Sequence, residues 1–408
     1  MRFTWFIARR IIGQRSQRSS VSGPIITIGI VAIALGVITM LIAIGTGVGL
    51  QHKIGQKVAA FSGHVRVTTL ENSQRLETLK PLENASEIRN TLSQQSNVHA
   101  SQSVAYVPGV ILNQNAFDGI VFKGIDDSFN SKFFSFFGDS EKVSALGAQD
   151  IWISTELANK LALTIGDRVS LYFASEEKAM PKRRSCNVVG LFTTGFSDYD
   201  STYVLGHLDV VRSLYGWDNN QVGAFELFLN DSSDLSAQSD ILYDSIDALV
   251  DVQHIEEQFP EIFNWIRLFG TNISLIIIIM IIVGGVNMIT ALLVLILEQT
   301  QLIGITRVMG AAVSSLQQLF LIQGGYLIGV GLFWGNLIGL GLLFIQKQTG
   351  IISLDPTTYY VKEVPVYMDV TTVLWLNGLT LFICLALLVL PSLIIARIAP
   401  TQALKINP

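Results

Sequence analysis

Four stretches of this 408-residue chain contain no charged side chain: Ser19–Gln51, Leu268–Leu297, Val308–Gln346 and Val370–Ala396. No other feature limits the fold as strongly. A helix needs about 20 apolar residues to cross the hydrocarbon core of a bilayer, and each stretch is long enough for one crossing. Lipid leaves backbone N–H and C=O groups no partner but the chain itself, so the stretches predict four membrane helices. Composition agrees. Half of the residues are hydrophobic and only 14% are charged, where a soluble domain carries about a quarter.

Arg2, Arg9, Arg10, Arg15 and Arg18 precede the first stretch, as in the positive flank of a cleaved signal peptide. The apolar run Ile25–Leu50 far exceeds an h-region of about 7–15 residues and has no A-x-A-like exit, so it predicts a retained anchor. Residues 1–23 are expected to form an interfacial helix, with Phe3, Phe6 and Ile7 on one side and Arg9 and Arg10 at lipid headgroups. A basic flank that only sets topology explains the same residues. The first 23 residues hold five basic side chains and no acid, and the C-terminal end holds Arg397 and Lys405 and no acid. Residues 53–267 hold 17 basic and 28 acidic side chains, a net of −11. The positive-inside rule therefore places both termini and residues 298–315 in the cytoplasm, and residues 53–267 and 347–369 outside. The spans are 24–52, 268–297, 316–346 and 370–397, and the cytoplasmic tail is 398–408. Trp265 and Phe269 fall where aromatic belts occur.

The outer domain, residues 53–267, reads as α/β. Gly63–Leu70, Ser103–Leu112 and Gly119–Gly124 alternate like strands. Ser154–Leu163 is a helical pattern capped by Ser154 or Thr155, and it passes through Gly166 and Asp167 into a strand at Arg168–Phe173. Cys186–Phe192 is the next strand, and residues 174–185 between them form a polar hairpin arm. Leu235–Leu249 is helical, and Ile255–Phe269 is expected to run into the second span as a stalk. Cys186 is alone in this domain, with Cys384 in the fourth span, so no intrachain disulfide is expected. The fold class is an α-helical membrane protein with four transmembrane helices and a large α/β extracytoplasmic domain between the first and second.

Catalytic signatures are absent. The chain has no GxxxxGK[ST], no HExxH, no CxxC, and its five histidines lack metal-ligand spacing. No metal, cofactor or nucleic acid is implied. The glycine clusters lie inside the spans and suit helix packing at small-xxx-small spacing. Gly29, Gly36 and Gly47 make such a face in the first span, and Gly325, Gly329, Gly331, Gly335 and Gly339 in the third. The span interiors lack the ionisable groups that ion-coupled carriers place at midplane, leaving Asn287, Asn336 and Asn377 with a few Gln, Ser and Thr as the polar groups. Energy for any work must come from a partner.

Residues 298–312, EQTQLIGITRVMGAA, set Ile303, Ile305 and Val308 among Gly304, Arg307 and Gly310. The pattern of Glu298, Ile303, Gly304, Ile305, Arg307, Gly310 and Ala311 resembles the cytoplasmic coupling segment of the FtsX/MacB/lipoprotein-releasing superfamily of ABC permeases. Pro391, Ala396, Arg397, Pro400, Ala403 and Leu404 resemble that superfamily's closing element, and Ile153–Phe173 resembles its external signature. One span, a large external domain and three further spans repeat its MacB-type topology.

The resemblance implies a permease subunit of the bacterial inner membrane, itself not an enzyme, whose ATP hydrolysis resides on a separate ABC ATPase. Residues 298–315 would be a coupling helix, dropping Ile303, Ile305 and Met309 into a groove on the ATPase, with Arg307 adding a charged contact. A loop folded back on the bilayer is the alternative. Leu302 stands where the superfamily has a glutamate, and Gln299, Thr300 and Gln301 replace a basic run, which implies a dedicated ATPase. Within the superfamily the hairpin arm, with Met180, Pro181, Lys182, Arg183 and Arg184, sits where lipoprotein-releasing permeases hook a periplasmic carrier; an ordinary solvated hairpin is the alternative. Gly190–Tyr203 resembles the same group, whereas Gly47–Leu50 departs from its usual ending of the first span. The expected partners are the ATPase, a second permease (identical or not), a periplasmic lipoprotein carrier, a lipoprotein or amphiphilic substrate and membrane lipid. A generic export permease and a mechanotransmitter that controls a periplasmic partner without transport remain open.

Overall fold

The computed structural model describes residues 22–397, apart from 74–76, 79, 114–115, 128, 130–136, 138–145, 175–179, 232–233 and 247–248. The interfacial helix expected over 1–23 and the tail 398–408 lie outside the described residues, save that Ser22 and Gly23 open the first long helix. In chain order the helices are α1 (Ser22–Ser62), α2 (Ala85–Ser93), α3 (Thr155–Lys160), α4 (Ser197–Asp200), α5 (Leu208–Tyr215), α6 (Leu235–Ser245), α7 (Ile255–Gln258), α8 (Pro260–Glu298), α9 (Thr300–Val308), α10 (Val313–Thr349), α11 (Pro356–Tyr359) and α12 (Val370–Ser392). Among the described residues, α1, α8, α10 and α12 are long and apolar enough to cross a membrane. The chain forms two compact units. One comprises the segment up to His52, Ile266–Ser353 and the segment from Glu363; the other comprises Lys53–Trp265 and Leu354–Lys362.

In the first unit the small residues of α10 meet α1. A Cβ built on Gly335 would lie 2.7 Å from Val37 Cβ and 3.0 Å from the Ala34 carbonyl oxygen, and one on Gly331 2.8 Å from Ile33. One on Gly339 would reach Leu41 at 2.9 Å. These three glycines, four residues apart, let two helix backbones approach more closely than any side chain allows. Gly29 and Gly47 face α8, at Ala291 and Ile273, and Gly36 lies in ordinary contact with the Met280 carbonyl. The rest of the expected stripe is different: Gly325 has only ordinary contact with Leu385, and Gly329 faces open space. The packing stripe is therefore 331/335/339, offset from 325/329 because 3.6 residues per turn place 329 and 331 on different sides. Asn336 and Asn377 clasp α10 to α12 through reciprocal amide hydrogen bonds of 2.6 and 2.9 Å.

The second unit is built on one nine-stranded sheet: β1 (Val65–Thr69), β2 (Val98–Asn113), β3 (Ala116–Ile125), β4 (Asp150–Ser154), β5 (Arg168–Phe173), β6 (Lys182–Phe192), β7 (Tyr203–His207), β8 (Ala224–Leu229) and β9 (Val250–His254). Its order is β3-β7-β4-β6-β5-β2-β8-β1-β9, with β3 also paired to β2. That extra ladder closes β2, β3, β7, β4, β6 and β5 into a ring, and β8, β1 and β9 extend from the first half of β2. Strand β2 changes partner along its length: β8 pairs up to Val104 and β5 begins at Gly109. Pro108, which has no N–H for a ladder, lies in the gap. Alternate residues Ile111, Phe122, Ile153, Leu171, Phe173, Cys186 and Val188 face one buried core.

Local chemistry sets the element ends. The Ser154 hydroxyl accepts the Leu157 N–H at 2.9 Å and so caps α3, as its position before an apolar run predicts. The expected helix 235–249 stops at Ser245, and residues 250–254 pair with β1 instead. The stalk over 255–269 is also interrupted. Phe259 precedes a proline, which disfavours helical backbone, and its φ of −127° and ψ of 59° break α7 from α8, while Pro260 suits the first position of a new helix.

Candidate functional site

Helix α9 lies between two membrane helices and is joined to them by very short connections. Gln299 alone separates α8 from α9, and its N–H still bonds the Leu295 carbonyl at 3.2 Å. At the other end Gly310 adopts φ +92°, the left-handed conformation that glycine tolerates best. The Gly310 N–H bonds the Arg307 carbonyl and the Ala311 N–H the Thr306 carbonyl, each at 3.0 Å. These two bonds are a Schellman termination, and they re-aim the chain into α10 within four residues.

The α9 side chains divide by side. Ile303 is fully buried, in the same apolar cluster as Leu295, Ile296, Leu316, Phe320 and Ile395, and Gly304 is buried beside it. This corrects the expectation that Ile303 projects toward a partner: it fastens α9 to its own membrane unit. Leu302, Ile305 and Met309, three and then four residues apart, are exposed together with Val308, Met309 at 81%. A surface of large apolar side chains is thus left on a helix whose other side is anchored. Glu298 is exposed at the end of α8, and Arg307 lies half-buried in the last turn of α9, where a cation complements the helix dipole.

The hairpin arm is shorter than its sequence suggests, and its basic cluster is dispersed. Lys182, Arg183 and Arg184 are ladder residues of β6, paired with Phe173, Tyr172 and Leu171. Strand alternation sends the three side chains to opposite sides. On the side that carries Cys186, the Lys182 ammonium donates to the Leu214 carbonyl and the Arg184 guanidinium to the Ser213 carbonyl, at 3.2 Å for the latter. Both satisfy orphan carbonyls in the last turn of α5, as cations at a helix C-terminus do. On the other side the Arg183 guanidinium is held by the Ser170 hydroxyl at 2.9 Å. The polar loop expected over 174–185 therefore ends at Pro181. Met180, 79% exposed, and Pro181 remain at its rim, and residues 175–179 lie outside the described residues.

The sheet also holds a buried charged cluster with only a faint signal in the sequence. Lys123 on β3 and Glu226 on β8 are both inaccessible to solvent, with the ammonium 2.9 Å from each carboxylate oxygen. Lys123 also donates to the Phe61 carbonyl near the end of α1. Glu226 accepts from the Tyr106 hydroxyl and, at 2.5 Å, from the Gln102 amide. Burial pushes the Lys123 pKa down from its ordinary value, and the Glu226 carboxylate opposes that shift. Burial likewise pushes the Tyr106 hydroxyl well above its usual pKa, reinforced by Glu226. Every member of this cluster has a partner, so it is structural rather than reactive. Its signal in the sequence is a single charge at the centre of each of two runs, IVFKGI and AFELFL, that are otherwise too apolar to face water.

Among the described residues no group of three or more His, Cys, Asp or Glu side chains could hold a metal. Comparison with known families gives two matches. Residues 25–242, more than half of the chain, match the MacB-like periplasmic core domain, and residues 274–400 match the FtsX-like permease C-terminal domain. The lipoprotein-releasing system transmembrane protein LolC of Neisseria meningitidis is 23% identical over 399 residues, covering 93% of each chain. Its namesake in Haemophilus influenzae is 24% identical over 388 residues, covering 91% of each. Among solved structures, the periplasmic region of MacB from Actinobacillus actinomycetemcomitans aligns with 49% of this chain and 92% of its own, at 12% identity and a TM-score of 0.34.

Proposed function

This chain belongs to the permease family that joins a MacB-like periplasmic core domain to an FtsX-like C-terminal domain, and from that premise we propose that it is the membrane subunit of an ABC transporter that releases lipoproteins from the bacterial inner membrane. ATP is hydrolysed on a separate subunit docked from the cytoplasm. The observation that carries the proposal is α9: a helix fastened by Ile303 to its own unit, with Leu302, Ile305, Val308 and Met309 left uncovered. Such a stripe fits a groove on a partner. One residue joins α9 to α8, and a four-residue turn joins it to α10, so a push on α9 would reach both spans directly. Both termini face the cytoplasm in this proposal, the sheet domain faces the periplasm, and a second permease chain completes the pathway.

Release to a carrier is supported by the two LolC relatives, which match over nearly their whole length. A specific observation favours the competing export or mechanotransmitter function: Lys182 and Arg184, expected on the arm as carrier contacts, are engaged instead at the last turn of α5. Co-purification of the permease with its ATPase, followed by reconstitution with a lipid-modified protein, separates these outcomes. ATP-dependent appearance of the lipoprotein on a soluble carrier is expected. An ATPase that binds and turns over without releasing lipoprotein would move the assignment to the competing function.

A further inference from the structure

The segment between α10 and α12 returns to the outer unit. Residues Leu354–Lys362 cluster with Lys53–Trp265, although their chain neighbours on both sides belong to the membrane unit. Three contacts hold the segment there. The Lys57 ammonium, in the last turns of α1, donates to the Tyr360 carbonyl at 2.7 Å and to the Thr194 carbonyl at 3.0 Å. The Tyr360 ring stacks on Phe196 with centroids 4.6 Å apart and meets Trp265 edge-on at 5.7 Å. Val361 is buried.

The receiving surface is held in place by a buried carboxylate. Asp200 is buried, and its carboxylate accepts the N–H groups of Thr194 and Gly195 and the Thr194 hydroxyl, at 2.8 to 2.9 Å. That fixes the turn whose Thr194 carbonyl faces Lys57. Tyr360 itself sits at φ +60°, a left-handed conformation that costs a non-glycine residue energy and persists only where surroundings over-determine it. A loop that merely connected two helices would relax out of it.

We propose that residues 354–362 are a strap, latched by Lys57 near the end of α1 and by Trp265 near the start of α8, that carries movement of α10 and α12 into the outer domain where those two helices enter it. The strap rests on the permease function for its purpose but not for its existence.

Hydrogen exchange on the full-length permease tests the latch. Lys57→Met keeps the aliphatic stem but removes the donors, and Tyr360→Ala removes the ring while leaving Lys57 in place. Each variant should raise exchange at Leu354, Thr358 and Tyr359, whose amides bond within the strap, by about tenfold, with β2 and β8 peptides unchanged. Unchanged strap exchange in both variants would overturn the latch, and so would equal loss of protection in the strands, which would make these residues part of the domain core. A second arm measures ATP-driven release by the complex. Release should fall severalfold in both variants while ATP hydrolysis continues; a freed strap with release at the wild-type rate would overturn the coupling role. Absence of release in the unmodified complex would count against the permease function and leave the exchange result standing.

Discussion

Replacing Lys123 by methionine would leave the Glu226 carboxylate buried without its counter-charge. In the intact protein the pair is inaccessible to water and the ammonium lies 2.9 Å from both carboxylate oxygens. Breaking such a pair by removing one partner costs about 3–5 kcal/mol. The Tyr106 hydroxyl and Gln102 amide still donate to Glu226, which keeps the loss at the lower part of that range. The Phe61 carbonyl also loses its donor, adding about 1 kcal/mol or more. For a domain of this size each kcal/mol moves the midpoint by about 2–4 °C, so a fall on the order of 10 °C is expected. The double variant Lys123→Met with Glu226→Gln removes both charges of the pair and should recover most of the loss. Exposure of Cys186, a core thiol of the same domain, reports the melt in a Cys384→Ala background. A single variant as stable as the wild type, or a double variant no better than the single, would refute the reasoning.

Gly335→Ala should destabilise the membrane unit by about 1–3 kcal/mol through overpacking, because the new Cβ meets the backbone and Cβ atoms of α1; Gly329→Ala, facing open space, should leave detergent melting unchanged. Gly310→Ala meets no neighbour but must hold φ +92°, so it should cost about 1–2 kcal/mol and loosen the α9–α10 connection, read as faster exchange at Ala311. Burial pushes the Cys186 thiol up to about 11, so at pH 8 only about one thiol in a thousand is the reactive thiolate. Alkylation of the native protein should be negligible there and rise roughly tenfold per pH unit toward 11; rapid labelling at pH 8 would contradict the buried placement.

The four spans and the α/β character of the outer domain were legible because both rest on local composition: charge-free runs in one case, alternation and capping in the other. The dispersal of the arm's basic residues has a tertiary reason. Lys182, Arg183 and Arg184 look like an exposed basic cluster until strand alternation separates them and α5, thirty residues on, presents its carbonyls to two of them. Ile303 and Ile305 are equivalent in sequence, and only the packing of α8, α10 and α12 decides which one is buried. The closed ring of strands was illegible as well, since it depends on β3 pairing two strands at once, one of them in parallel with β7 some eighty residues away.

The central claim is that the uncovered side of α9 docks an ATPase while its buried side holds the helix in place. The most direct measurement is co-purification of the ATPase with Ile305→Asp/Met309→Asp, compared with Leu302→Met as a conservative control on the same side. Charges at 305 and 309 would be buried unpaired in the proposed groove, at a cost of several kcal/mol, so at least a hundredfold loss of ATPase binding is expected. Membrane insertion and melting should remain at wild-type values, because neither residue belongs to the buried cluster that holds Ile303. Full retention of the ATPase by the double variant would contradict the account and leave α9 as a connecting helix alone.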